Sequence, residues 1–353
     1  MKLGILTFHA AHNYGAVLQA YGLLNYLSSL GHEVYVIDYR PDSIRRGVNR
    51  GIPALPKNPL KLCKTLVEEF SIRKDRLKRF DKFEEFIIKE LNLFPFDTVK
   101  LEEFDRIFIG SDQVWNKSLL NNKFDPVYMG ASFSARYVSY AASMGWYQVE
   151  DDDIAVLKQY LSNFEAISVR ETDTSTFLTE ITGTNIHVTC DPTLLLKREE
   201  WTKLYVPTNK KGYVLCYNLL NSNDCQALAE DLAKSKGLEI INLVPSVSKK
   251  SPKSSCQSAG PKDFISYIMD AEYVVTSSFH GTVFSILFDK EFYSVGLSNY
   301  GGRIRSLLRT IGLEDRMIVP KDLNNLSKCD YMAASCLLNG FITESKNFIK
   351  NSL

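Results

Sequence analysis

His280 is the residue whose type and position best suit proton transfer. It comes shortly after the apolar segment Tyr273–Thr276, which is typical of a buried strand, and it precedes Gly281 and an apolar helix. An imidazole at the start of a helix faces the positive end of the helix dipole, which disfavours the protonated ring and favours a neutral base. The alternative is a buried structural histidine. Because His280 lies in a loop that follows a strand, we predict a catalytic role.

Three arginines are placed to bind an anion. Arg170 directly follows the apolar segment Ala166–Val169, and Arg303 and Arg305 lie in a glycine-rich turn that opens a helix. A guanidinium can bind a carboxylate or a phosphate through two parallel hydrogen bonds. The alternatives are a surface ion pair of Arg170 with Glu171 and, for the other two arginines, ordinary solvated positions at a helix start.

Two further loops carry groups that suit a sugar or an anion. Asn13, Tyr14 and Gly15 lie where a strand gives way to a helix, so exposed backbone N–H groups could bind an anion, although simple capping would use the same residues. The segment Gly110–Asn116 combines hydrogen-bond donors, a carboxylate and an aromatic ring, as sugar sites do, unless the tryptophan belongs to the core. The contacts predicted from this segment are Ser111, Asp112, Gln113, Trp115 and Asn116.

These loops follow apolar segments that alternate with helical patterns, and this alternation predicts the fold. The run Leu3–Thr7, a helical pattern closed by Gly31 and the run Glu33–Ile37 form a βαβ unit. Such a unit requires parallel strands and a right-handed crossover. The sequence therefore predicts a doubly wound α/β sheet with ligands beyond the carboxyl ends of its strands.

The chain divides into two such domains. The alternation of strand and helix patterns stops around Asp191–Lys211 and begins again with the strand Tyr213–Tyr217. We therefore expect domains at residues 1–200 and 201–353. In a group-transfer reaction, the first domain would hold the acceptor of the transferred group and the second domain would hold its donor. A last helix from about residue 330 to residue 349 is placed to cross back onto the first domain.

Length, charge and cysteine content limit the classes of function. The chain has 353 residues, enough for two domains, and its net charge of +1 provides no general field for a nucleic acid. The seven cysteines are scattered without a CxxC pair or Cys/His cluster, which predicts reduced thiols and no metal site. No run of about 18 apolar residues and no signal-peptide pattern is present. We expect a cytoplasmic protein that does not span a membrane.

A basic helical insertion at about residues 44–90 interrupts the first domain. It carries thirteen Lys or Arg against six Asp or Glu between Ile44 and Lys89. Its phenylalanines are spaced much as an amphipathic helix would place them: Phe70, Phe80, Phe83 and Phe86. A solvated helix that covers the sheet is the interpretation we favour, and a face that docks on a membrane is the alternative.

Taken together, the motifs resemble the polysaccharide pyruvyl transferase family. The similarity extends in order from about residue 3 to residue 312. Each motif alone is weak, but the ordered set is specific. The matching segments are Asn13–Ala20, Gly110–Trp115, Val169–Glu171, Asp191–Thr193 and Ser278–Gly281.

The resemblance implies an activity and an architecture. It implies two Rossmann-like domains that face each other across a cleft, as in GT-B glycosyltransferases, with phosphoenolpyruvate as donor and no cofactor. The family acceptor is usually a galactose or mannosamine residue of a glycan, and a lipid-linked acceptor would bring the protein to the inner face of the membrane as a peripheral enzyme. His280 would be the general acid and base, protonating the methylene carbon of the donor. Arg170 would bind the donor's phosphate or carboxylate.

One departure from the family pattern affects donor binding. Many members carry Arg two positions before the histidine, where this chain has Ser278. We expect Arg303 or Arg305 to supply the missing charge. The other donor contacts that the resemblance implies are Arg170, Ser278, Phe279 and Gly281.

Two other functions remain open at the level of sequence. A glycosyltransferase that uses a nucleotide sugar would share the two facing domains, because many chemistries occur on one fold. A non-catalytic glycan-binding protein would keep the cleft and tolerate the serine at position 278.

Overall fold

Two parallel β-sheets with helices packed on their faces form the framework of this protein. The computed structural model describes residues 1–45, 58–98, 103–132, 135–145, 149–219, 221–252, 254–296, 301–318 and 328–353.

The first sheet has seven strands in the described part of the chain, all parallel, in the order β3-β2-β1-β4-β5-β6-β7. The strands are Lys2–Leu6 (β1), Glu33–Asp38 (β2), Leu93–Pro95 (β3), Arg106–Ile109 (β4), Tyr137–Ala142 (β5), Phe164–Val169 (β6) and His187–Val188 (β7). The helices of this half are Tyr14–Ser29 (α1), Asp42–Arg45 (α2), Pro59–Glu90 (α3), Asp151–Leu161 (α4), Thr172–Thr182 (α5) and Arg198–Thr202 (α6).

The second sheet has five described strands, also parallel, in the order β10-β9-β8-β11-β12. They are Tyr213–Tyr217 (β8), Glu239–Leu243 (β9), Ser255–Cys256 (β10), Tyr273–Thr276 (β11) and Glu291–Ser294 (β12). Its helices are Asn223–Lys236 (α7), Pro261–Asp270 (α8), Phe279–Leu287 (α9), Gly302–Ile311 (α10) and Tyr331–Asn351 (α11).

In both sheets the first strand along the chain is an interior strand, and later strands are added on both sides of it. The chain runs from β1 out to β3 and then returns to β4 on the other side of β1, and β8 to β11 repeat this course. Where consecutive connections leave in opposite directions, a crevice opens at the carboxyl ends of the strands. The expected fold class, two Rossmann-like doubly wound domains facing across a cleft in a GT-B-like arrangement, is confirmed.

A buried polar contact joins the two halves. Tyr14 of α1 is fully buried, and the guanidinium of Arg79 lies 4.7 Å from the centre of its ring. Arg79 comes from α3 and is itself buried. It donates hydrogen bonds to the Tyr14 hydroxyl and to three backbone carbonyls of the second half, those of Val244, Pro245 and Ala259.

The last helix, α11, returns to the first sheet. The Ser345 hydroxyl accepts a hydrogen bond of 2.9 Å from the backbone N–H of Cys190, and the ring of Phe348 lies 5.2 Å from that of His187. These contacts place the carboxyl end of the chain beside β7, so α11 connects the second half to the first.

Helix α3 covers the first half but differs from the predicted amphipathic pattern. Phe83 and Phe86 are buried, whereas Phe70 is 87% exposed and lies off the buried face. Arg79, expected on a solvated or membrane-facing surface, is buried between the halves because it satisfies backbone carbonyls there. Residues 46–57 of the predicted insertion lie outside the described residues.

Candidate functional site

Helix α9 begins directly beyond β11, and its first turn carries His280. Ser278 caps the helix, since its hydroxyl accepts a hydrogen bond of 3.3 Å from the N–H of Gly281. A Cβ atom on Gly281 would lie 2.3 Å from Oγ1 of Thr276, so glycine allows the helix to start this close to the strand. Ser278 and Gly281 therefore build the turn that presents His280.

His280 reaches from the second half of the protein to the first. Its Nε2 lies 3.4 Å from Oδ2 of Asp191, and only 7% of the residue is exposed. Its ring packs against Gly15 at the start of α1, so closely that a Cβ on Gly15 would lie 1.9 Å from Nδ1. The close approach thus requires glycine at position 15.

Asp191 is the centre of this contact. It is 1% exposed; its Oδ1 accepts hydrogen bonds from the N–H and hydroxyl of Thr193, and its Oδ2 lies 2.9 Å from Nη1 of Arg170. Burial opposes ionisation, but the charges of His280 and Arg170 outweigh it and hold the pKa of Asp191 well below its usual value.

Arg170 is not in a surface pair with Glu171, the alternative raised by the sequence. It is 5% exposed and is paired with Asp191 instead. Its Nε and Nη2 are buried without a hydrogen-bond partner among the described residues. Buried donors normally have partners, so the free side of this guanidinium is suited to an anionic ligand.

Arg303 supplies a second cation at the same place. The guanidinium carbons of Arg170 and Arg303 lie 5.0 Å and 5.9 Å from the ring centre of Phe279. Burial and the charge of Arg170 lower the pKa of Arg303, although Glu171 opposes this change. We call Arg170, Phe279 and Arg303 the anion pocket, because an anion there would offset the repulsion between the two guanidiniums.

Arg305 lies elsewhere. It is exposed and borders a separate pocket of about 290 Å³ with Arg309 and Glu314. Arg303 and Arg305 are two positions apart on α10, and such residues point to different sides of a helix. Only Arg303 of the two therefore belongs to the anion pocket.

A cleft of about 860 Å³ opens between the two halves and includes Arg303. We call it the interdomain cleft. In its wall, the Nδ2 of Asn116 donates a hydrogen bond of 2.8 Å to Oε1 of Gln113. Both amides press against Gly145, where a Cβ would lie 2.2 Å from that oxygen. The first half thus presents two fixed amide side chains to the cleft, as a polar acceptor would need.

The other residues predicted to contact an acceptor have structural partners. Asn13 caps α1, its Oδ1 accepting hydrogen bonds from two backbone N–H groups. The Ser111 hydroxyl is buried 3.4 Å from Oδ2 of Asp191. Asp112 accepts a hydrogen bond of 2.8 Å from the N–H of Gln113. These three residues shape the loops around the cleft.

Two aromatic residues of the predicted acceptor site are fully buried. Trp115 donates its indole N–H to the carbonyl of Tyr128 at 2.9 Å, and its ring belongs to the core of the first half. Tyr14 is held by Arg79. Neither ring has a face exposed to a sugar, because each fills space between packed elements.

A comparison with known families gives one match. The family model described as polysaccharide pyruvyl transferase matches residues 13–299, most of the chain. The chain belongs to this family. Among curated proteins, no sequence matches this chain.

Several solved structures resemble this chain at low sequence identity. The UDP-GlcNAc 2-epimerase of Neisseria meningitidis bound to UDP-GlcNAc is 9% identical, with a TM-score of 0.47, over 100% of this chain and 94% of that one. The S. aureus MnaA structure with UDP is 13% identical, with a TM-score of 0.46, over 98% and 90%. An alpha-glucosyltransferase in complex with UDP and DNA is 9% identical, with a TM-score of 0.49, over 99% of both chains.

Two carboxyls of the candidate site were not predicted as site residues. Asp191 occurs in a matching motif, and its position directly beyond the last strands of the first sheet was the available signal. Glu171 also occurs in a matching motif, but the only role that the sequence suggested for it was a surface ion pair with Arg170. It is 6% exposed, its Oε1 accepts a hydrogen bond of 2.6 Å from the Ser143 hydroxyl, and its Oε2 has no partner among the described residues.

Two features are absent from the described residues. No group of three or more His, Cys, Asp or Glu side chains in the described ranges could hold a metal ion. Within the same residues, no helix has the length and apolar character needed to cross a membrane.

Proposed function

We propose that this protein transfers the pyruvyl group of phosphoenolpyruvate onto two hydroxyls of a sugar in a polysaccharide or lipid-linked glycan, forming a cyclic ketal. Family membership supports pyruvyl transfer in polysaccharide synthesis. The observation that carries the choice of donor is the anion pocket, in which buried N–H groups of Arg170 have no partner. Phosphoenolpyruvate brings both a phosphate and a carboxylate to such a pocket.

Arg303 replaces the arginine that many family members carry two positions before the histidine. Ser278 stands at that position and uses its hydroxyl to cap α9. Arg303 approaches the same Phe279 ring from α10, so it supplies positive charge to the anion pocket from another element. Two guanidiniums at one ring can stabilise the phosphate both in the bound donor and as it departs.

His280 is the acid and base group in this proposal. Protonation of the methylene carbon makes C2 of the donor electrophilic, a sugar hydroxyl attacks it, phosphate leaves and a second hydroxyl closes the ketal. The carboxylate of Asp191 lies 3.4 Å from Nε2 of His280. Nε2 makes no hydrogen bond to the described residues, whereas Nδ1 packs against Gly15, so Nε2 is the atom that we assign to proton transfer. No step of this scheme needs a cofactor.

The acceptor would enter the interdomain cleft from the side of the first half. The amides of Gln113 and Asn116 are the candidates to bind its hydroxyls, because both line the cleft and are fixed against Gly145. With a lipid-linked acceptor the enzyme would work in the cytoplasm at the membrane surface. The exposed cations Arg73, Lys74 and Lys78 of α3 are the residues to neutralise in a vesicle co-sedimentation test of that contact.

The proposal is tested by phosphate release from phosphoenolpyruvate in the presence of a polysaccharide fraction from the native cells. His280→Ala should abolish release while thermal unfolding stays cooperative. His32→Ala is the matched control, since His32 lies in the turn between α1 and β2 at the opposite end of the sheet. Full activity of His280→Ala would refute the assignment, and no release by the wild type would refute the donor or the acceptor class.

A further inference from the structure

Glu171 occupies an unusual place at the edge of the interdomain cleft. It lies two residues beyond the end of β6 and stands at the N-cap of α5, where its side chain makes no capping hydrogen bond. The side chain turns instead to Ser143, whose hydroxyl donates to Oε1 at 2.6 Å. Glu171 lines the cleft and is 94% buried, being 6% exposed.

The second carboxyl oxygen of Glu171 has no described partner. Oε2 is buried and makes no hydrogen bond among the residues that the structure describes. A buried oxygen without a hydrogen-bond partner lowers the stability of the folded protein unless a ligand or a proton satisfies it. Because Ser143 holds Oε1, a proton on this carboxyl would be on Oε2 and would be a free hydrogen-bond donor.

The electrostatics of Glu171 are opposite to those of Asp191. Burial raises the pKa of Glu171, although the charges of Arg170 and Arg303 and the Ser143 hydrogen bond oppose the change. Asp191 is also buried, yet its pKa is lowered by the charges of its partners. One site thus contains a carboxyl whose pKa is raised and another whose pKa is lowered, a pattern that separates acid from base in active sites.

We propose that Glu171 donates the proton that the methylene carbon of the donor receives, while His280, held by Asp191, takes the proton of the attacking hydroxyl. This division of roles rests on the proposed function. It differs from the expectation that His280 alone performs both transfers. The cavity of the anion pocket itself has only about 10 Å³, but Arg303 also borders the interdomain cleft, which Glu171 lines. A donor bound to the Arg303 guanidinium from the cleft would therefore lie next to Glu171.

The two groups exchange roles within one turnover. In the addition, the π bond between C2 and C3 breaks, C3 takes the Glu171 proton, the sugar oxygen bonds to C2 and His280 takes the hydroxyl proton. In the second half, the C2–O bond to phosphate breaks and the phosphate takes the proton from His280. The second hydroxyl then bonds to C2 and gives its proton to the Glu171 carboxylate. Both groups end as they began, and no further reactant is needed.

Infrared difference spectroscopy of the full chain tests whether Glu171 holds the proton. A protonated carboxyl has a carbonyl band that a carboxylate lacks. The spectrum of the wild type minus the spectrum of the Glu171→Gln variant therefore shows the band of this one residue. Glu150→Gln is the matched control, because Glu150 also stands at a helix N-cap, that of α4, but is exposed. We expect the Glu171 band to persist to higher pH than the Glu150 band, and to higher pH still with phosphoenolpyruvate bound. A Glu171 band that disappears together with that of Glu150 overturns the proposal.

The rate of phosphate release distinguishes a failure of this proposal from a failure of the proposed function. Glu171→Gln keeps the shape of the side chain and should reduce phosphate release by roughly 10²–10⁴-fold, the range for general acid catalysis, with little change in affinity for phosphoenolpyruvate. Glu150→Gln should release phosphate at the wild-type rate. An active wild type with an equally active Glu171→Gln overturns the role of Glu171 alone. A wild type without release overturns pyruvyl transfer and this role with it.

Discussion

Replacing Gly15 by alanine should displace His280 and reduce activity. A Cβ at position 15 would lie 1.9 Å from Nδ1, 2.3 Å from Cγ and 2.5 Å from Cε1 of the ring. Real Cβ atoms essentially never approach a heavy atom closer than 3.0 Å, so the ring must move by about 1 Å or more. Because His280 is buried and its Nε2 faces Asp191, such a shift disturbs the contact that orients the ring.

The expected magnitude follows from overpacking. An extra methyl group in a filled site costs about 1–3 kcal/mol of unfolding free energy. The higher helix preference of alanine over glycine raises the free energy of unfolding of the variant by only about 0.5–1 kcal/mol. A displacement of about 1 Å in a catalytic group can lower the rate by roughly 100-fold. We therefore expect Gly15→Ala to be slightly less stable than the wild type and much less active.

The assay pairs urea unfolding with phosphate release for two variants. Gly340→Ala is the control, since Gly340 lies within α11 and a Cβ there meets no atom within 4 Å. That variant should gain about 0.5–1 kcal/mol and keep its activity. If Gly15→Ala behaves like Gly340→Ala, then His280 does not pack against α1 as described, and the argument for its orientation is wrong.

Three further predictions concern stability and binding. Arg79→Met should lose at least about 1–3 kcal/mol in urea unfolding, because buried carbonyls lose their donor, whereas exposed Arg73→Met should change stability by less than about 0.5 kcal/mol. Arg303→Gln should weaken phosphoenolpyruvate binding in calorimetry at least tenfold while Arg305→Gln leaves it unchanged; equal effects would contradict the anion pocket. Since the pKa of Glu171 is raised in the folded state, its stabilising contribution is lost as pH rises. The stability gain of Glu171→Gln over the wild type should therefore grow as the pH rises above about 4, and a constant difference would contradict the raised pKa.

Much of the fold was predictable from local pattern. The segments Tyr213–Tyr217 and Tyr273–Thr276 are strands with the same bounds as the sequence analysis gave, because continuous apolar runs bounded by polar loops are typical of buried parallel strands. The short strand Ser255–Cys256 was not foreseen. Two residues are too few to show a period, and their pairing with β9 depends on tertiary contact.

The site was predictable in its loops but not in its contacts. Position after a strand indicated His280 and Arg170, yet nothing in the sequence shows that Asp191 lies between them, since the three come from distant segments. The sequence also left the burial of Trp115 undecided, because an aromatic residue in a loop can face solvent or core. Packing decides that question, and here the ring fills the core.

Thermal unfolding with separate ligands tests the central claim most directly, because it needs no acceptor. A ligand at about 100 times its dissociation constant adds about 2.7 kcal/mol to the free energy of unfolding. We predict that phosphoenolpyruvate raises the melting temperature of the wild type, that Arg303→Gln loses this shift and that a panel of nucleotide sugars has no effect. A shift with a nucleotide sugar and none with phosphoenolpyruvate would contradict pyruvyl transfer from this donor.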